Sequence, residues 1–302
     1  MELEIFTAKQ LAGVGVGPRE VARELATGKL IRLRRGVYRP GGQLDPTDAH
    51  RLQIAAARLV LPRGVVSHGS AAVLHGLPVP GSAIQRVSFT QSVRGRGHVS
   101  GSVHVRGCPL EADEITEIDG VPLTSLARTV SDLARELPFE WAVGVADAAL
   151  RLGATRPELL DEVERARRRP GNRQARAVVT FADGRAESVG ESRSRVIFAR
   201  SLIAEPTLQH EVWCDGVLIG RSDFGWIDQR VLGEFDGRVK YGRSRLRDET
   251  AEDAVVREKI REDALRRENW LVVRWIWPDL DHPDMLVRRI RAALASGRDM
   301  AA

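Results

Sequence analysis

Three carboxylates fall within one short acidic stretch, and their spacing brings them together. A hairpin folded at Asp228 and Gln229 would place Asp223 directly opposite Glu234 on the neighbouring strand. Asp236 would share the face of Glu234, because side chains alternate along a strand. Directly opposed like charges destabilise a sheet. The repulsion needs an offset, which a divalent cation, a carboxyl of raised pKa or an arginine from elsewhere in the chain would each supply.

The opposite face of the same hairpin is apolar. It would carry Phe224, Trp226, Val231 and Phe235, a set typical of a face that packs against a core. One face of this hairpin is therefore predicted to be buried, while the other holds the chemistry.

Motifs on both sides extend the pattern. Upstream, Glu191 follows Ser188 at the start of a helical stretch; downstream, a helix over residues 258–270 leads into an apolar strand, residues 271–277, that carries one arginine. This order resembles the core of the PD-(D/E)XK nuclease superfamily, and more narrowly the branch related to very-short-patch-repair endonucleases. The resemblance covers about residues 185–295. It implies a restriction-endonuclease-like α/β domain whose central mixed sheet pairs the hairpin with residues 271–277.

The same resemblance implies roles for individual side chains. Asp223 and Glu234 would bind Mg²⁺ or Mn²⁺, and Glu191 would assist through a water molecule. The position that usually holds the catalytic lysine is Asp236, which would be a further ligand or would orient one. Lys240 is the nearest substitute for that lysine, because a compact ammonium can shift its pKa. The alternative is that Lys240 is a surface residue and that the domain keeps the fold without the activity.

The first forty residues predict a helix, a turn, a second helix and a basic hairpin. A short helix capped by Thr7 is followed by a second helix from Pro18 to about Thr27, and Gly28 ends it. This layout is typical of a winged helix-turn-helix, in which the second helix enters the major groove and the hairpin lies on phosphates. The alternative is a small helical cap whose arginines are only solvated. The candidate DNA contacts are Arg19, Arg23, Lys29, Arg32, Arg34, Arg35, Tyr38 and Arg39.

The middle of the chain predicts a mixed α/β domain. Helices are expected over residues 48–61 and 66–78, and strands over 85–90 and 102–106. His68 and His75 are interpreted as structural or hydrogen-bonding histidines, because their spacing is too long for both to bind one ion from a straight helix.

Residues 28–38, 67–72 and 122–130 give the first 165 residues a resemblance to the AbiEi-type antitoxins of toxin–antitoxin systems. That family combines a winged helix-turn-helix with a mixed α/β domain. The resemblance implies DNA binding, transcription that the protein itself regulates, and a surface for a partner toxin. It does not predict a nuclease-like C-terminal part.

Composition sets the outer limits. The chain has 302 residues, of which 43% are hydrophobic and 29% charged, so it can bury real cores. We predict an α/β multi-domain protein (α+β in its domain arrangement) divided at residues 1–44, 45–170 and 171–302. The net charge of +5 favours a polyanionic partner such as DNA. Two cysteines predict free thiols in a reducing cytoplasm, and no apolar run is long enough for a membrane span.

Two functions are consistent with these patterns. The first is a DNA-binding protein with an endonuclease-like domain that depends on a divalent metal. The second is a non-catalytic transcriptional regulator or antitoxin of a type IV-like toxin–antitoxin system, with a degenerate nuclease fold.

Overall fold

The structure is a computed structural model that describes residues 4–92, 97–237 and 251–301, without the side chains of 251–255 and 298–301. It divides into two compact units, residues 1–145 with 153–180 and residues 146–152 with 181–302. Mixed sheets and helices in both units confirm the predicted α/β class. The division into three domains stays a prediction. Across the described residues, no helix has both the length and the apolarity needed to cross a membrane.

The first unit begins with a small three-stranded sheet and two helices. The elements are β1 (Phe6–Thr7), α1 (Ala8–Gly13), α2 (Pro18–Ala26), β2 (Leu30–Arg34) and β3 (Val37–Pro40), with the strands in the order β1-β3-β2. Local chemistry sets each boundary. The Thr7 hydroxyl accepts a hydrogen bond from the Gln10 N–H, and the Gln10 side chain accepts one from the Thr7 N–H. Gly36, at a φ of 76°, turns the hairpin. The predicted order of helix, turn, helix and hairpin is confirmed.

The rest of the first unit surrounds a six-stranded mixed sheet in the order β6-β7-β5-β4-β9-β8. Its elements are α3 (Pro46–Arg58), β4 (Val65–Val66), α4 (His68–His75), β5 (Val87–Gln91), β6 (His98–Ser100), β7 (Val103–Gly107), β8 (Ile115–Ile118), β9 (Val121–Thr124), α5 (Leu126–Glu136), α6 (Phe139–Arg151), α7 (Arg156–Arg165) and α8 (Asn172–Phe181). The second half of α6, from residue 146, and the last residue of α8 are assigned to the second unit. Strands β5 and β7 are the two predicted from sequence. The core between sheet and helices includes Ile54, Val66, Phe89, Val105 and Leu123.

A buried charge network holds α5 to its neighbours. Arg128 is 1% exposed, and its Nε donates to both carboxylate oxygens of Asp132 at 3.0 Å. Its Nη1 donates to Glu114, which precedes β8. Burial and a hydrogen bond with Glu114 raise the pKa of Glu162, on α7, to about 7. Removing one partner of such a buried pair leaves an uncompensated charge, so these elements depend on one another.

The second unit is built on a four-stranded sheet in the order β10-β11-β12-β13. Its elements are α9 (Val189–Arg200), β10 (Thr207–Cys214), β11 (Val217–Trp226), β12 (Val231–Phe235), α10 (Ala251–Arg267), β13 (Leu271–Trp275), α11 (Trp277–Asp281) and α12 (Pro283–Ala301). β11 and β12 are antiparallel with Phe224 paired to Gly233, the register predicted from sequence. The chain reverses through a 3-10 turn at Ile227–Gln229, as expected.

Aromatic rings fill the core on one face of this sheet. Phe198 of α9 lies 5.4 Å from Phe224 and 5.6 Å from Trp275, centroid to centroid. Trp226 and Val231 are buried in the same cluster, and Phe235 packs against it at the edge. The predicted apolar face of the hairpin is therefore confirmed.

The position of β13 differs from the prediction in one respect. It pairs with the hairpin through β12, as expected, and this pairing is parallel; its apolar residues on both faces predict a central strand, whereas in the described part of the sheet it is an edge strand. Its apolar character has another cause, since helices cover both faces. Val273 packs with Leu286 of α12 on one side, and Val272 with Leu265 of α10 on the other.

A substitution at Gly190 in α9 tests how closely that helix packs on the sheet. A Cβ added there would lie 1.9 Å from Cε1 of Phe235. We expect Gly190→Ala to lower the free energy of unfolding by about 1–3 kcal/mol, despite the roughly 1 kcal/mol that alanine gains over glycine inside a helix. Chemical denaturation measures the change.

Gly237→Ala is the matched control, because its added Cβ would meet the same Phe235 ring at an ordinary 3.4 Å. Equal stability of the two variants would contradict the close packing of α9.

Candidate functional site

Most of the predicted DNA contacts lie on the exposed surface of α2 and of the hairpin formed by β2 and β3. Arg23 is the one drawn into a local pair, since its Nη2 donates to Glu20 at 3.0 Å on the same helix. The exposed residues are Arg19, Arg23, Lys29, Arg32 and Arg35. They form a basic surface on adjacent elements, as phosphate binding requires.

The side chains of the other three predicted contacts, Tyr38, Arg39 and Arg34, are less available to bind DNA. Tyr38 is 8% exposed and belongs to the small core with Leu11 and Leu30, so its ring is not on the surface. Arg39 donates to the carbonyl oxygens of Pro40 and Gly42, at 2.8 and 2.9 Å.

Arg34 is half-buried, and its Nη1 is enclosed without a hydrogen-bond partner among the described residues. A β-bulge between Arg32 and Arg34 changes the alternation of side chains along β2. Strict alternation of side chains along β2 does not predict the partial burial of Arg34.

In the second unit, the carboxylate of Glu234 accepts hydrogen bonds from side chains on three other elements, strand β11, helix α10 and strand β13. Its Oε1 accepts hydrogen bonds from Ser222 Oγ at 3.0 Å and Arg261 Nη2 at 2.8 Å. Its Oε2 accepts from Arg274 Nε at 2.8 Å and from the same Arg261 nitrogen at 3.0 Å. Two guanidinium groups therefore neutralise Glu234, which is one of the offsets that the sequence left open.

Asp223 has a different environment. Its Oδ2 accepts a hydrogen bond from the Phe235 N–H at 2.7 Å. Burial, followed by the charges of Glu191 and Glu234, raises the pKa of Asp223 to about 7. Arg221, the nearby arginine that could have paired with it, contacts Glu187 instead at 2.9 Å. The raised pKa is the second offset that the sequence left open.

Glu191 lies in the first turn of α9 and is 6% exposed. Its Oε2 accepts hydrogen bonds from the Glu187 N–H and from Gln209 Nε2, both at 2.8 Å. Burial raises its pKa. Because the charge of Glu191 acts on Asp223, the structure brings these two predicted residues into one electrostatic cluster with Glu234.

The remaining two predicted residues lie at the end of β12. The Asp236 N–H donates to the Trp275 carbonyl at 2.8 Å, which extends the pairing of β12 with β13 by one residue. Lys240 lies outside the described residues.

The arrangement of these carboxylates does not fit a magnesium site. Both oxygens of Glu234 already accept hydrogen bonds from arginines, so cationic groups occupy the place of a metal ion. Over residues 4–92, 97–237 and 251–301, no group of three His, Cys, Asp or Glu side chains is placed to bind a metal. Mg²⁺ or Mn²⁺ at Asp223 and Glu234 stays a prediction from sequence.

Arg261 and Arg274 are the residues that the sequence reasoning missed. A signal for Arg274 was present, because it is the single charge in an apolar strand. Parallel pairing places it beside Glu234 in the register. Arg261 has only its helical spacing to Glu258, which it also contacts at 2.9 Å.

The raised pKa of Asp223 predicts how stability depends on pH. Its pKa rises from 3.8 to about 7 on folding, so the fold favours the protonated carboxyl and loses stability as pH rises through this interval. Asp223→Asn keeps an acceptor for the Phe235 N–H and removes the ionisation. Between about pH 5 and pH 8, the free energy of unfolding of the native protein should fall by about 1–2 kcal/mol more than that of this variant. This is less than the pKa shift alone would give, because Asp223 is partly exposed and solvent screens its charge.

Urea unfolding at the two pH values measures the difference. Asp228→Asn, an exposed carboxylate in the turn of the same hairpin, should follow the native pH dependence. Parallel curves for all three proteins would show that Asp223 is ionised without cost.

Comparison with known proteins relates these features to a family. Residues 1–41 match the family model described as "Transcriptional regulator, AbiEi antitoxin". The residues matched to this family end at 41 and do not include the C-terminal part whose sequence resembles nucleases. Two proteins from two strains of Mycobacterium tuberculosis, named "Uncharacterized protein MT2308" and "Uncharacterized protein Rv2248", are each 30% identical over 280 residues, which is 91% of this chain and 96% of each relative. Since the similarity spans almost the whole length on both sides, the chain belongs to the same protein family as these two mycobacterial proteins.

Proposed function

We propose that the protein is a DNA-binding transcriptional regulator of the AbiEi antitoxin type. One coincidence carries the proposal. The residues that match the regulator family, 1–41, are the same residues that fold into helix, turn, helix and hairpin with an exposed basic surface. In this geometry α2 enters the major groove, and the hairpin of β2 and β3 lies along the phosphates.

The charges on this surface divide into stronger and weaker contributors. Lys29 and Arg35 are exposed without a partner among the described residues, and the Arg32 guanidinium carbon lies 5.9 Å from the centroid of the Tyr38 ring, which supports it at the surface. The ion pair with Glu20 partly compensates the positive charge of Arg23. We expect most of the phosphate affinity from the exposed cations without an ion pair among the described residues, Arg19, Lys29, Arg32 and Arg35.

The antitoxin half of the proposal requires two interactions. One is binding to DNA upstream of the protein's own gene, by which it would control its own transcription. The other is a cognate toxin protein whose activity it would neutralise. Both rest on the family match, the DNA interaction rests on the basic surface as well, and it is the easier of the two to measure.

The salt dependence of DNA binding tests the basic surface. Each phosphate contact that is lost should reduce the slope of log K against log salt concentration by about 1, because fewer counterions are released. We expect this from both Arg32→Ala and Arg35→Ala, measured by fluorescence anisotropy on duplex DNA from the upstream region. Arg63→Ala removes an exposed arginine elsewhere in the same unit and should leave the slope unchanged.

The melting temperatures of Arg35→Ala and Arg63→Ala should equal that of the native protein, since these side chains are exposed, and Arg32→Ala should lower it only slightly through loss of the contact with Tyr38. A slope that falls equally in all three would mean that net charge alone drives DNA binding. An unchanged slope in all three would place DNA binding elsewhere, with the basic run at residues 165–169 next in line.

A second candidate function is metal-dependent phosphodiester hydrolysis in the C-terminal unit. The observation that favours it is the pair of buried carboxyls, Asp223 and Glu191, whose pKa values are both raised. Perturbed carboxyls concentrate at functional sites, although ion-pair networks also produce them. The paired state of Glu234 weighs against this candidate, so we rank it behind the regulator.

Divalent cations separate the two functions. A cation that binds only the folded state stabilises it, by about 2.7 kcal/mol at one hundred times Kd. Because arginines already neutralise Glu234, we expect Mg²⁺ and Mn²⁺ to leave the melting temperature unchanged and duplex DNA uncut. A rise in melting temperature that Asp223→Asn abolishes and Asp228→Asn retains would instead favour the hydrolase.

A further inference from the structure

A cleft of about 270 Å³ opens beside the six-stranded sheet of the first unit. The start of α4, the 3-10 turn at Gly81–Ile84, strands β5 and β7 and the end of α5 together form it. Leu133, Leu137 and Pro138 give it one apolar wall. The cleft belongs neither to residues 1–41, which carry the proposed DNA contacts, nor to the carboxylate cluster of the second unit.

His68 lines this cleft in a strained backbone conformation. Its φ is 53°, in the left-handed region, and the residue is 5% exposed. Nδ1 lies 3.0 Å from Ser67 Oγ, and Nε2 lies 3.4 Å from Glu136 Oε1. Strain of this kind persists only where the surroundings hold it, and it concentrates at binding and catalytic sites. The fold therefore fixes an imidazole at the inner end of the cleft.

Two arginines bring positive charge to the same space. Arg106 donates from Nη1 to Ser88 Oγ at 3.2 Å and from Nη2 to Glu136 at 2.9 Å, which fixes the plane of its guanidinium. Arg86 is exposed at the rim and donates from Nε to the Gly101 carbonyl at 3.3 Å. Its two terminal nitrogens have no partner among the described residues, so they remain available to a ligand.

The charge balance of the cleft favours an anion. Glu136 is the one carboxylate among the described lining residues. Although burial opposes it, the hydrogen bond and charge of His68, with Arg106, lower the pKa of Glu136 to about 2. Burial, followed by the charge of Arg106, lowers the pKa of His104. Two guanidinium groups thus face one carboxylate. Behind His68, Asp132 is fully buried and neutralised by Arg128 and by Arg135.

We propose that this cleft binds a small phosphate monoester, with Arg86 and Arg106 on the phosphoryl oxygens and the organic group against Leu137 and Pro138. The two terminal nitrogens of Arg86, which have no partner among the described residues, can pair with phosphate through two parallel hydrogen bonds, while Arg106 keeps its bonds to Ser88 and Glu136 and contributes one further N–H. The cleft is slightly below the usual range of about 300–1,000 Å³ for ligand pockets, which suits a compact ligand and excludes a duplex.

The first turn of α4 adds a smaller contribution. The hydroxyl of its N-cap residue, Ser67, makes no capping hydrogen bond, because it contacts His68 and Thr90 instead. Amide groups at the start of the helix, including that of Gly69 in the lining, therefore remain for an anion. A Cβ at Gly69 would lie 2.2 Å from the Ala83 carbonyl oxygen, so the turn closes tightly over this end of the cleft.

Proton NMR of the imidazole C–H signals tests the proposal on the full chain. Inorganic phosphate and adenosine 5′-monophosphate are titrated separately at constant ionic strength, and the His104 signal is identified by its loss in His104→Gln. We expect a saturable shift of that signal with at least one probe. Arg86→Gln should raise Kd by about tenfold or more, while Arg63→Gln, which removes an exposed arginine outside the cleft, should leave it unchanged.

The two probes identify the source of the phosphoryl group. Tighter binding of the nucleotide supports a monoester held by the apolar wall, and equal binding supports the phosphoryl group alone. The absence of a saturable shift with both probes would overturn the proposal, as would equal Kd values for the native protein and Arg86→Gln. A His104 shift that duplex DNA produces as readily would assign the cleft to the DNA interface instead. None of these results depends on the outcome of the DNA-binding experiments.

Discussion

The two acidic side chains Asp223 and Glu234, on the neighbouring strands β11 and β12, impose the electrostatic constraint around which the C-terminal sheet is built. Because the charge of Glu234 acts on Asp223, the two carboxylates would destabilise the sheet unless each charge were neutralised or removed. Arg261 and Arg274 neutralise the charge of Glu234, whereas the raised pKa of Asp223 favours its uncharged form. Helix α10 and strand β13 supply those arginines, so the placement of both elements is tied to one glutamate. Electrostatics and aromatic packing thus select the same arrangement.

Local signals in the sequence predicted a large part of this fold. The hairpin register followed from a turn and from alternation over a few residues, and the cap at Thr7 followed from residue type. The partners of Glu234 did not, because they lie 27 and 40 residues away and their approach depends on the path of the whole chain. The same applies to strands β4 and β6, whose two and three residues are too short to show a period.

Candidate site residues divided along the same line. Exposure of Arg32 and Arg35 could be expected on a hairpin that alternates apolar and basic residues. Burial of Tyr38 could not, because consecutive residues Val37 and Tyr38 both turn inward where β3 lies between two other strands. His68 was interpreted as structural, which its hydrogen bonds support, but no pattern in the sequence shows its backbone strain or the cleft it faces.

The ion pairs on Glu234 also limit how the sequence can change during evolution. An arginine left without its glutamate would be a half-buried cation beside the sheet, and a glutamate left without its arginines would add to the repulsion on Asp223. We therefore expect single changes at these positions to be selected against and joint changes to be tolerated. Positions 234, 261 and 274 should vary together among the mycobacterial relatives and their kin. A lineage that replaced both arginines with neutral residues while keeping Glu234 would have a sheet surface open to a metal ion.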